Sequence, residues 1–189
     1  MLDTVFPVAS VLAIYLARML ELGTRRDTVS GPVRERWTLR LFMAAGMLML
    51  AGSLAEFFLR PLRVDWRLVG AGWLCAAASF LIRRRAIAAL GRFWSLHVEI
   101  RVNHEFVRTG PFRWVRHPTY FSMILELLSI ALILQARITP VAVSLVFIPV
   151  LVLRLRLEEA ALVEKFGATY RDYQRSTPAL IPYKLIRFK

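Results

Sequence analysis

The sequence is poor in the residues from which disulfide frameworks, metal sites and hydrolase sites are built. Its one cysteine, Cys75, lies in an apolar segment, which excludes a disulfide framework or a thiolate cluster. Its three histidines, His97, His104 and His117, have a spacing that matches no compact metal-ligand motif, so no metal is predicted. No serine has the elbow context of a hydrolase nucleophile. These three classes of protein are therefore not indicated.

Acidic residues are also scarce, with 13 aspartates and glutamates against 26 lysines and arginines, which gives a formal charge of +13. Hydrophobic residues make up 57% of the 189 positions, above the about 45–50% typical of a soluble domain. The basic residues lie between apolar blocks rather than along one polar face. This pattern indicates a membrane protein whose cations face anionic lipid, rather than a nucleic-acid-binding protein. The length is that of one membrane domain, residues 1–189.

Five apolar runs predict an all-α integral membrane fold with about five transmembrane helices. The predicted spans are Val5–Leu22, Leu39–Leu59, Leu68–Ile82, Tyr120–Leu134 and Ile138–Leu153. Only three residues separate the last two spans, so these are predicted to form a tight antiparallel hairpin. Pro149 lies deep within the fifth span and predicts a kink there. The third span is short for a ~30 Å hydrocarbon core unless Trp66 and its flanking arginines reach toward the interface.

The distribution of basic residues predicts the orientation of these spans. Five arginines follow the first span, eight lie between the third and fourth, and eight lysines and arginines lie in the C-terminal tail. Five spans put all three segments on the same side. The other side has only Arg60, Arg63, Arg67 and Arg137. The excess of positive charge predicts an outside N-terminus and a cytoplasmic C-terminus.

The stretch VRHPTYF, Val115 to Phe121, lies where a basic segment meets the fourth predicted span. Pro118 suits the first turn of a helix, so the plainest interpretation is a helix start with a basic anchor just outside it. The alternative is a cofactor pocket at the membrane face. In that case the imidazole of His117 and the hydroxyl of Tyr120 would face a ligand.

The C-terminal segment RLRLEEAALVEKFGATYRDYQ predicts a cytoplasmic amphipathic helix that continues the fifth span. Its apolar face would contain Leu155, Leu162, Phe166, Tyr170 and Tyr173. Its charges have two interpretations. Glu158 and Glu159 either form solvated salt bridges with arginines one turn earlier or, being near the end of a span where charge is costly, gather beside the RHPTY stretch as part of a site.

Other polar features within the apolar runs have simpler interpretations. GAGWLC, Gly70 to Cys75, resembles part of a dinucleotide loop, but it lacks the third glycine and lies in an apolar helix, which predicts helix packing. Glu56 and Glu126 lie within predicted spans. They are either paired interior charges or part of a pathway through the protein.

Two longer segments resemble the isoprenylcysteine carboxyl methyltransferase family. They are FWSLHVEIRVNHEFVRTGPFRWVRHPTYF and RLRLEEAALVEKFGATYRDYQRSTPALIP, which extend over Phe93 to Pro182 and are separated by the predicted hairpin. The ordered set of short motifs carries the resemblance, since RHPxY by itself is weak. The phospholipid N-methyltransferases share the RHPxY and Glu-Glu elements.

The resemblance implies a methyl transfer from S-adenosylmethionine in a membrane-embedded site, which places the catalytic half in residues 83–189. Residues 1–82 contain the three N-terminal spans predicted from the apolar runs. By position, the cofactor would be held by His97, His104, Glu105, Phe106, Val107, Phe112, His117, Pro118, Thr119, Tyr120 and Glu158. Arg154 matches the substrate-side arginine that faces the carboxylate to be methylated. Phe112 stands where the family commonly has tyrosine, and Ser122 where many members have glycine.

The scarcity of bases agrees with this chemistry. A sulfonium donor is already electrophilic and a carboxylate acceptor is already ionised at neutral pH, so neither requires a strong base. The enzyme must supply in-line alignment, which is worth up to ~7–11 kcal/mol in favourable cases. Arg154 could hold a carboxylate through two parallel N–H bonds. An amine acceptor must first lose a proton and would require a base such as Glu159 or His117.

The leading hypothesis is an integral-membrane methyltransferase that methylates the carboxylate of a lipophilic, isoprenylcysteine-like acceptor entering from the bilayer. A phospholipid N-methyltransferase is the second hypothesis. The third is a non-catalytic membrane protein that retains the fold and uses its polar residues for helix packing. The first two spans have no catalytic assignment. Their methionines, Met43, Met47 and Met49, either line a passage for a hydrophobic tail or serve packing.

Overall fold

The computed structural model describes residues 2–24, 33–35, 37–60, 63–94, 98–99 and 107–183. Within these ranges the helices are α1 (Leu2–Gly23), α2 (Trp37–Leu59), α3 (Trp66–Leu90), α4 (Pro118–Ile133), α5 (Ile138–Phe166) and α6 (Ala168–Ser176). Short 3₁₀ turns cover Gly91–Phe93 and Gly110–Arg113. Two short strands, β1 (Val33–Glu35) and β2 (Val98–Glu99), pair antiparallel. Apart from this small ribbon, the described part of the chain is all-helical, as predicted.

Three helices, α1, α2 and α5, are long and apolar enough to cross a membrane, and α4 is a shorter apolar helix of 16 residues. Large apolar side chains on these three helices project outward, with Leu16 61%, Met47 65% and Leu145 74% exposed. Apolar surface of this extent marks a contact with lipid or protein. Length, apolarity and exposure together indicate an integral membrane protein. The count of five spans stays a prediction, since α3 and α4 do not meet the same length and hydropathy criteria.

The helices pack in two main pairs. α4 packs mainly against α3, and α5 packs mainly against α2. The connection from α4 to α5, Leu134–Arg137, is one residue longer than the sequence predicts, and Gln135 has a left-handed φ of 53° in it. The two helices next to each other in sequence therefore make most of their contacts with other helices, and the predicted hairpin is not the main packing unit.

Helix ends converge on one side of the bundle. Leu22 and Leu90, near the C-terminal ends of α1 and α3, line the same cavity as Leu39, near the start of α2. At the opposite end, Phe6 of α1 contacts Trp66 at the start of α3, with 5.5 Å between ring centroids. Helices adjacent in sequence therefore run in alternating directions.

Glu56 is a paired charge at this opposite end. Its Oε1 accepts hydrogen bonds from the backbone N–H groups of Arg137 (2.9 Å) and Ile138 (3.0 Å), and its Oε2 accepts one from Thr139 (2.9 Å). First-turn N–H groups have no partner within a helix, and the positive end of the helix dipole favours a carboxylate there. Arg60 lies 3.0 Å from the same carboxylate. Glu56 thus ties the end of α2 to the start of α5.

Glu126 is also paired, through a buried arginine of α3. Arg83 is 6% exposed and donates to Glu21 of α1 (2.6 Å) and to Glu126 of α4 (2.5 Å). Arg18 of α1 donates to Glu21 at 2.9 Å. Nη1 of Arg83 also donates to the Ser79 hydroxyl, one turn earlier in α3, at 3.2 Å. Four charges thus join α1, α3 and α4 as an interior network.

The C-terminal segment differs from the predicted single amphipathic helix. α5 continues without interruption through Pro149 to Phe166 and ends at Gly167, whose φ is 56°. Glycine adopts this left-handed conformation at little cost, so the chain changes direction there and starts α6. Tyr170 and Tyr173 are therefore buried on α6, and the predicted apolar face is divided between two helices. A kink at Pro149 stays a prediction.

Gly72 brings α3 into close contact with α4. A Cβ atom added at Gly72 would lie 2.5 Å from Cγ1 of Ile133 and 2.9 Å from the carbonyl oxygen of Ser129. At Gly70 an added Cβ would meet nothing within 4 Å. The GAGWLC stretch therefore serves helix packing, as predicted, and the contact depends on its second glycine.

Replacing Gly72 with alanine is expected to lower the free energy of unfolding by about 1–3 kcal/mol, because the added methyl group has no space between the helices. Gly70→Ala is the matched control and should unfold close to the wild-type temperature. Thermal unfolding of the purified variants in detergent measures both. Equal unfolding temperatures for the two variants would contradict the close approach of α3 and α4.

Candidate active site

The converging helix ends enclose a cavity of about 580 Å³. Most of the described residues that the sequence assigns to a site line this cavity: Val107, Phe112, His117, Thr119, Tyr120, Arg154 and Glu158. Pro118 is buried as the first residue of α4 and is not among the lining residues. His97, His104, Glu105 and Phe106 lie outside the described residues. One cavity therefore contacts both segments that carry the family resemblance.

Tyr120 connects the two charged residues of α5 that face this cavity. Its hydroxyl donates to Oε2 of Glu158 at 2.7 Å and accepts a hydrogen bond from Nε of Arg154 at 2.8 Å. Arg154 is 4% exposed, so its guanidinium lies in the protein interior. Arg154 and Glu158 are one helical turn apart, and both face α4. They do not form the solvated surface pair that spacing by itself allows.

A second polar cluster fixes the RHPTY stretch against the C-terminal segment. Oε1 of Glu159 lies 2.7 Å from Nε of Arg116 and 3.0 Å from Nε2 of His117. Oε2 of Glu159 accepts a hydrogen bond from Gln174 at 2.9 Å. Arg116 also donates to the backbone carbonyl of Thr177 at 2.5 Å. Arg116 and Glu159 were not among the residues assigned to cofactor or acceptor binding from sequence, although Glu159 was named as a possible base and each lies directly beside an assigned residue.

The backbone of the same stretch is held as well. The N–H groups of Arg116 and His117 donate to the carbonyls of Pro178 (2.9 Å) and Ala179 (3.0 Å). Pro118 then occupies the first position of α4, where its missing N–H leaves no helical hydrogen bond unmade. The VRHPTYF stretch is therefore both a helix start and a wall of the cavity.

Two tyrosines of α6 close the cavity on this side. Burial raises the pKa of Tyr173 to about 12, and burial together with the nearby carboxylate of Glu159 raises the pKa of Tyr170. Both phenols therefore stay protonated at neutral pH. The Tyr173 hydroxyl donates to the carbonyl oxygen of Phe112. A tyrosine hydroxyl thus lies beside Phe112, although Phe112 itself carries none.

Ser122 faces α3 and not the cavity. Its side chain is fully buried, and its carbonyl oxygen accepts a hydrogen bond from the Ser79 hydroxyl at 2.7 Å. Its hydroxyl donates to the carbonyl oxygen of Thr119, one turn earlier in α4, at 2.7 Å. Ser122 is not among the cavity-lining residues.

α2 contributes two contacts to Arg154 that sequence reasoning missed. Nη1 of Arg154 donates to Oγ1 of Thr38 at 2.8 Å. The Phe42 ring, one turn further along α2, has its centroid 5.6 Å from Cζ of Arg154, within the range of a cation–π interaction. Nothing in the local pattern of α2 distinguishes these residues from packing residues.

The cavity is lined by both polar and apolar side chains. The charged and polar lining includes Arg18, Arg83, Glu126, His117, Arg154 and Glu158, and the aromatic side chains of Phe93 and Trp94 also line the cavity. The apolar part of the lining includes methionines and leucines from α1, α2 and α4: Met19, Leu22, Leu39, Met43, Met47, Met123 and Leu127. Met49 belongs to the core instead, with 2% exposure. The cavity can thus accommodate a molecule with a charged end and an apolar tail.

Comparison with known proteins points to one family. The sequence model of the isoprenylcysteine carboxyl methyltransferase (ICMT) family matches residues 72–164, from within α3 almost to the end of α5. Over this part of its length the chain is similar to the isoprenylcysteine carboxyl methyltransferase family. The ICMT match starts before Phe93, where the visible motifs begin, so the α3–α4 contact at Gly72 lies within the family region.

Individual relatives agree with the ICMT similarity. Over 145 residues the chain is 27% identical to protein-S-isoprenylcysteine O-methyltransferase A of Arabidopsis thaliana, covering 75% of this chain and 74% of that protein. The fission yeast Schizosaccharomyces pombe protein-S-isoprenylcysteine O-methyltransferase is 31% identical over 113 residues, 59% of this chain and 47% of that protein. An uncharacterized Bacillus subtilis protein is 36% identical over 96 residues, 49% of this chain and 57% of that protein. The chain thus spans about half the length of the latter two proteins.

Proposed function

We propose that the chain is an S-adenosylmethionine-dependent methyltransferase of the membrane that methylates the carboxylate of a lipophilic, isoprenylcysteine-like acceptor. The observation that carries the proposal is the buried Arg154, which faces the same cavity as Glu158 and is linked to it through the Tyr120 hydroxyl. A cationic side chain with two parallel N–H donors suits a carboxylate. The apolar part of the cavity suits the tail of that acceptor.

The donor set fits S-adenosylmethionine. The carboxylate of Glu158 can accept hydrogen bonds from ribose hydroxyls or an ammonium group. The rings of Phe93, Trp94 and Phe112 line the same cavity and offer apolar faces to an adenine ring and a cation. We assign cofactor binding to the residues that line the cavity and, from the family resemblance, to His97, His104, Glu105, Phe106 and Pro118.

When bound, S-adenosylmethionine supplies a methyl group that forms a C–O bond with the carboxylate as the C–S bond breaks, the bonding pair staying on sulfur. Arg154 would orient the attacking oxygen, and Glu158 would fix the donor side. Because the two residues are one turn apart on a single helix, their relative positions are set by the helix itself. No proton has to be removed from an ionised carboxylate.

The hydrogen-bond partners of Glu159, one of the two candidate bases, favour carboxyl methylation over amine methylation. His117 and Glu159 are 3.0 Å apart, and Glu159 also accepts hydrogen bonds from Arg116 and Gln174. A carboxylate with these partners is a poor acceptor for a further proton. A phospholipid N-methyltransferase could not rely on Glu159 and would have to pass the proton of its amine to His117 or to another group.

We also propose a single five-span domain with an outside N-terminus and a cytoplasmic C-terminus and active site. The alternating directions of the helices and the convergence of three C-terminal and two N-terminal helix ends at the cavity support this arrangement. The excess of basic residues on the same side supports the orientation. The acceptor would enter the apolar part of the cavity from the bilayer.

The test is methyl transfer from labelled S-adenosylmethionine by the purified protein in lipid. One reaction contains a farnesyl-cysteine analogue and the other phosphatidylethanolamine, and each product is treated with base. Volatile labelled methanol from the first reaction is the expected result, because base hydrolyses a methyl ester. Base-stable label in the phospholipid would instead indicate N-methylation. Failure to bind S-adenosylhomocysteine and to transfer methyl to either acceptor would favour a non-catalytic protein.

A further inference from the structure

A hydroxyl of α2 lies against the guanidinium of Arg154. Thr38 is fully buried, and its Oγ1 accepts a hydrogen bond from Nη1 of Arg154 at 2.8 Å. The two residues are 116 positions apart in sequence and come from different halves of the chain. Residues 1–82 thus reach the site, although the sequence gives them no catalytic assignment.

Thr38 and Tyr120 hold the guanidinium from two helices. The Tyr120 hydroxyl of α4 accepts from Nε of Arg154, and the Thr38 hydroxyl of α2 accepts from Nη1. The rings of Phe42 and Tyr120 lie 5.6 Å and 5.9 Å from Cζ of Arg154. The guanidinium is planar, two of its nitrogens donate hydrogen bonds, and two rings lie against it. Rotation about the Cδ–Nε bond of Arg154 would therefore break a hydrogen bond.

Hydroxyl partners orient a cation without adding a negative charge. The other deeply buried arginine of the cavity, Arg83, is held by the carboxylates of Glu21 and Glu126. Carboxylates join Arg83 to two other helices as structural ion pairs, whereas the Thr38 and Tyr120 hydroxyls fix the plane of the Arg154 guanidinium through hydrogen bonds that carry no charge of their own. The Thr38 contact therefore suits an arginine that must bind a carboxylate in a defined orientation.

We propose that Thr38 is a positioning residue that orients Arg154 toward the acceptor carboxylate. The inference rests on the proposed methyl transfer and adds α2 to the site. In-line transfer is sensitive to displacements of about 1 Å, which can cost about 100-fold in rate. Loss of the Thr38 hydroxyl should therefore impair turnover of the acceptor more than it impairs folding or cofactor binding.

The test compares Thr38→Val, which keeps the shape and removes the hydroxyl, with Thr38→Ser, which keeps the hydroxyl. We expect kcat/KM for the farnesyl-cysteine analogue to fall about 10- to 100-fold in Thr38→Val and to be largely retained in Thr38→Ser. The dissociation constant of S-adenosylhomocysteine should stay within about twofold of the wild type in both, because the Thr38 hydroxyl bonds to Arg154, which is assigned to the acceptor side. Ser53→Ala is the matched control, because Ser53 is a fully buried hydroxyl of α2 that bonds to Met49 and not to the site.

A double-mutant comparison distinguishes positioning from a general packing effect. In an Arg154→Gln background, Thr38→Val should cause no further loss of kcat/KM, because the hydroxyl acts through the guanidinium. Equal kcat/KM in wild type and Thr38→Val, or an undiminished loss in the Arg154→Gln background, would overturn the inference and leave the methyltransferase proposal standing. A wild-type protein that methylates no acceptor would instead overturn the proposed function and, with it, the role of Thr38.

Discussion

Arg154→Lys is expected to lower kcat/KM for a carboxylate acceptor by about 10- to 100-fold, the effect of losing a hydrogen bond to a charged group. Lysine keeps the positive charge but offers a single ammonium in place of the planar pair of donors. It also cannot reach the Tyr120 and Thr38 hydroxyls in the geometry of the guanidinium, which donates to them at 2.8 Å each. Initial rates over a range of acceptor concentrations measure the effect.

Two controls make this result specific for the acceptor. Binding of S-adenosylhomocysteine to Arg154→Lys should match the wild type, because Arg154 is assigned to the acceptor side. Arg156→Lys, on the same helix but exposed, should retain wild-type kcat/KM. A loss of cofactor affinity in Arg154→Lys, or equal losses of activity in both lysine variants, would contradict the assignment of Arg154 as the acceptor clamp.

Glu158→Gln should weaken S-adenosylhomocysteine binding by about 10- to 100-fold, because the substitution removes the charge that would accept hydrogen bonds from the cofactor. The amide keeps nearly the same shape and can still accept the Tyr120 hydrogen bond, which measures 2.7 Å in the wild type. Titration calorimetry in detergent gives the dissociation constant directly and does not depend on knowing the acceptor.

Glu164, which lies in a later turn of α5, provides the control for the Glu158 substitution. Glu164 is an exposed carboxylate of the same helix and does not line the cavity, so Glu164→Gln should bind S-adenosylhomocysteine as the wild type does. Thermal unfolding of both variants checks that the protein remains folded. Unchanged affinity in Glu158→Gln would remove Glu158 from the cofactor site and favour a packing role for the Tyr120 contact.

Much of the fold could be predicted, because long apolar runs specify their own secondary structure. A segment in lipid has to satisfy its backbone hydrogen bonds internally, which makes an apolar run of sufficient length a helix. The five predicted spans lie almost entirely within α1 to α5, with differences only at their ends. The division at Gly167 was not predicted, although a glycine just past a helix is a local signal for its end and here has a φ of 56°.

The site could be predicted only where its residues form a motif. His117, Tyr120, Arg154 and Glu158 all line the cavity and were all visible in the two family segments. Thr38 was not visible. A lone threonine near the start of an apolar helix has the same local pattern whether it packs against lipid or bonds to an arginine.

The partners of the interior charges could not be predicted from the sequence either. The sequence marks Glu56 and Glu126 as charges that require a partner, since an unpaired carboxylate in a span is costly. It does not indicate which kind of partner, backbone N–H groups or an arginine, each carboxylate has in the folded protein. Glu56 binds the backbone N–H groups at the start of α5, and Glu126 binds Arg83.

The sequence by itself determined the membrane character, the helical class, the family resemblance and the motif residues, because each depends on local composition or on short ordered patterns. The tertiary structure decided which side chains meet: that Tyr120 joins Arg154 to Glu158, that Glu159 holds Arg116 and His117, and that Thr38 reaches Arg154. These contacts join residues 34 to 116 positions apart. The physical reason is that hydrogen bonds of about 2.8 Å depend on the crossing and register of packed helices, which no local stretch of sequence encodes.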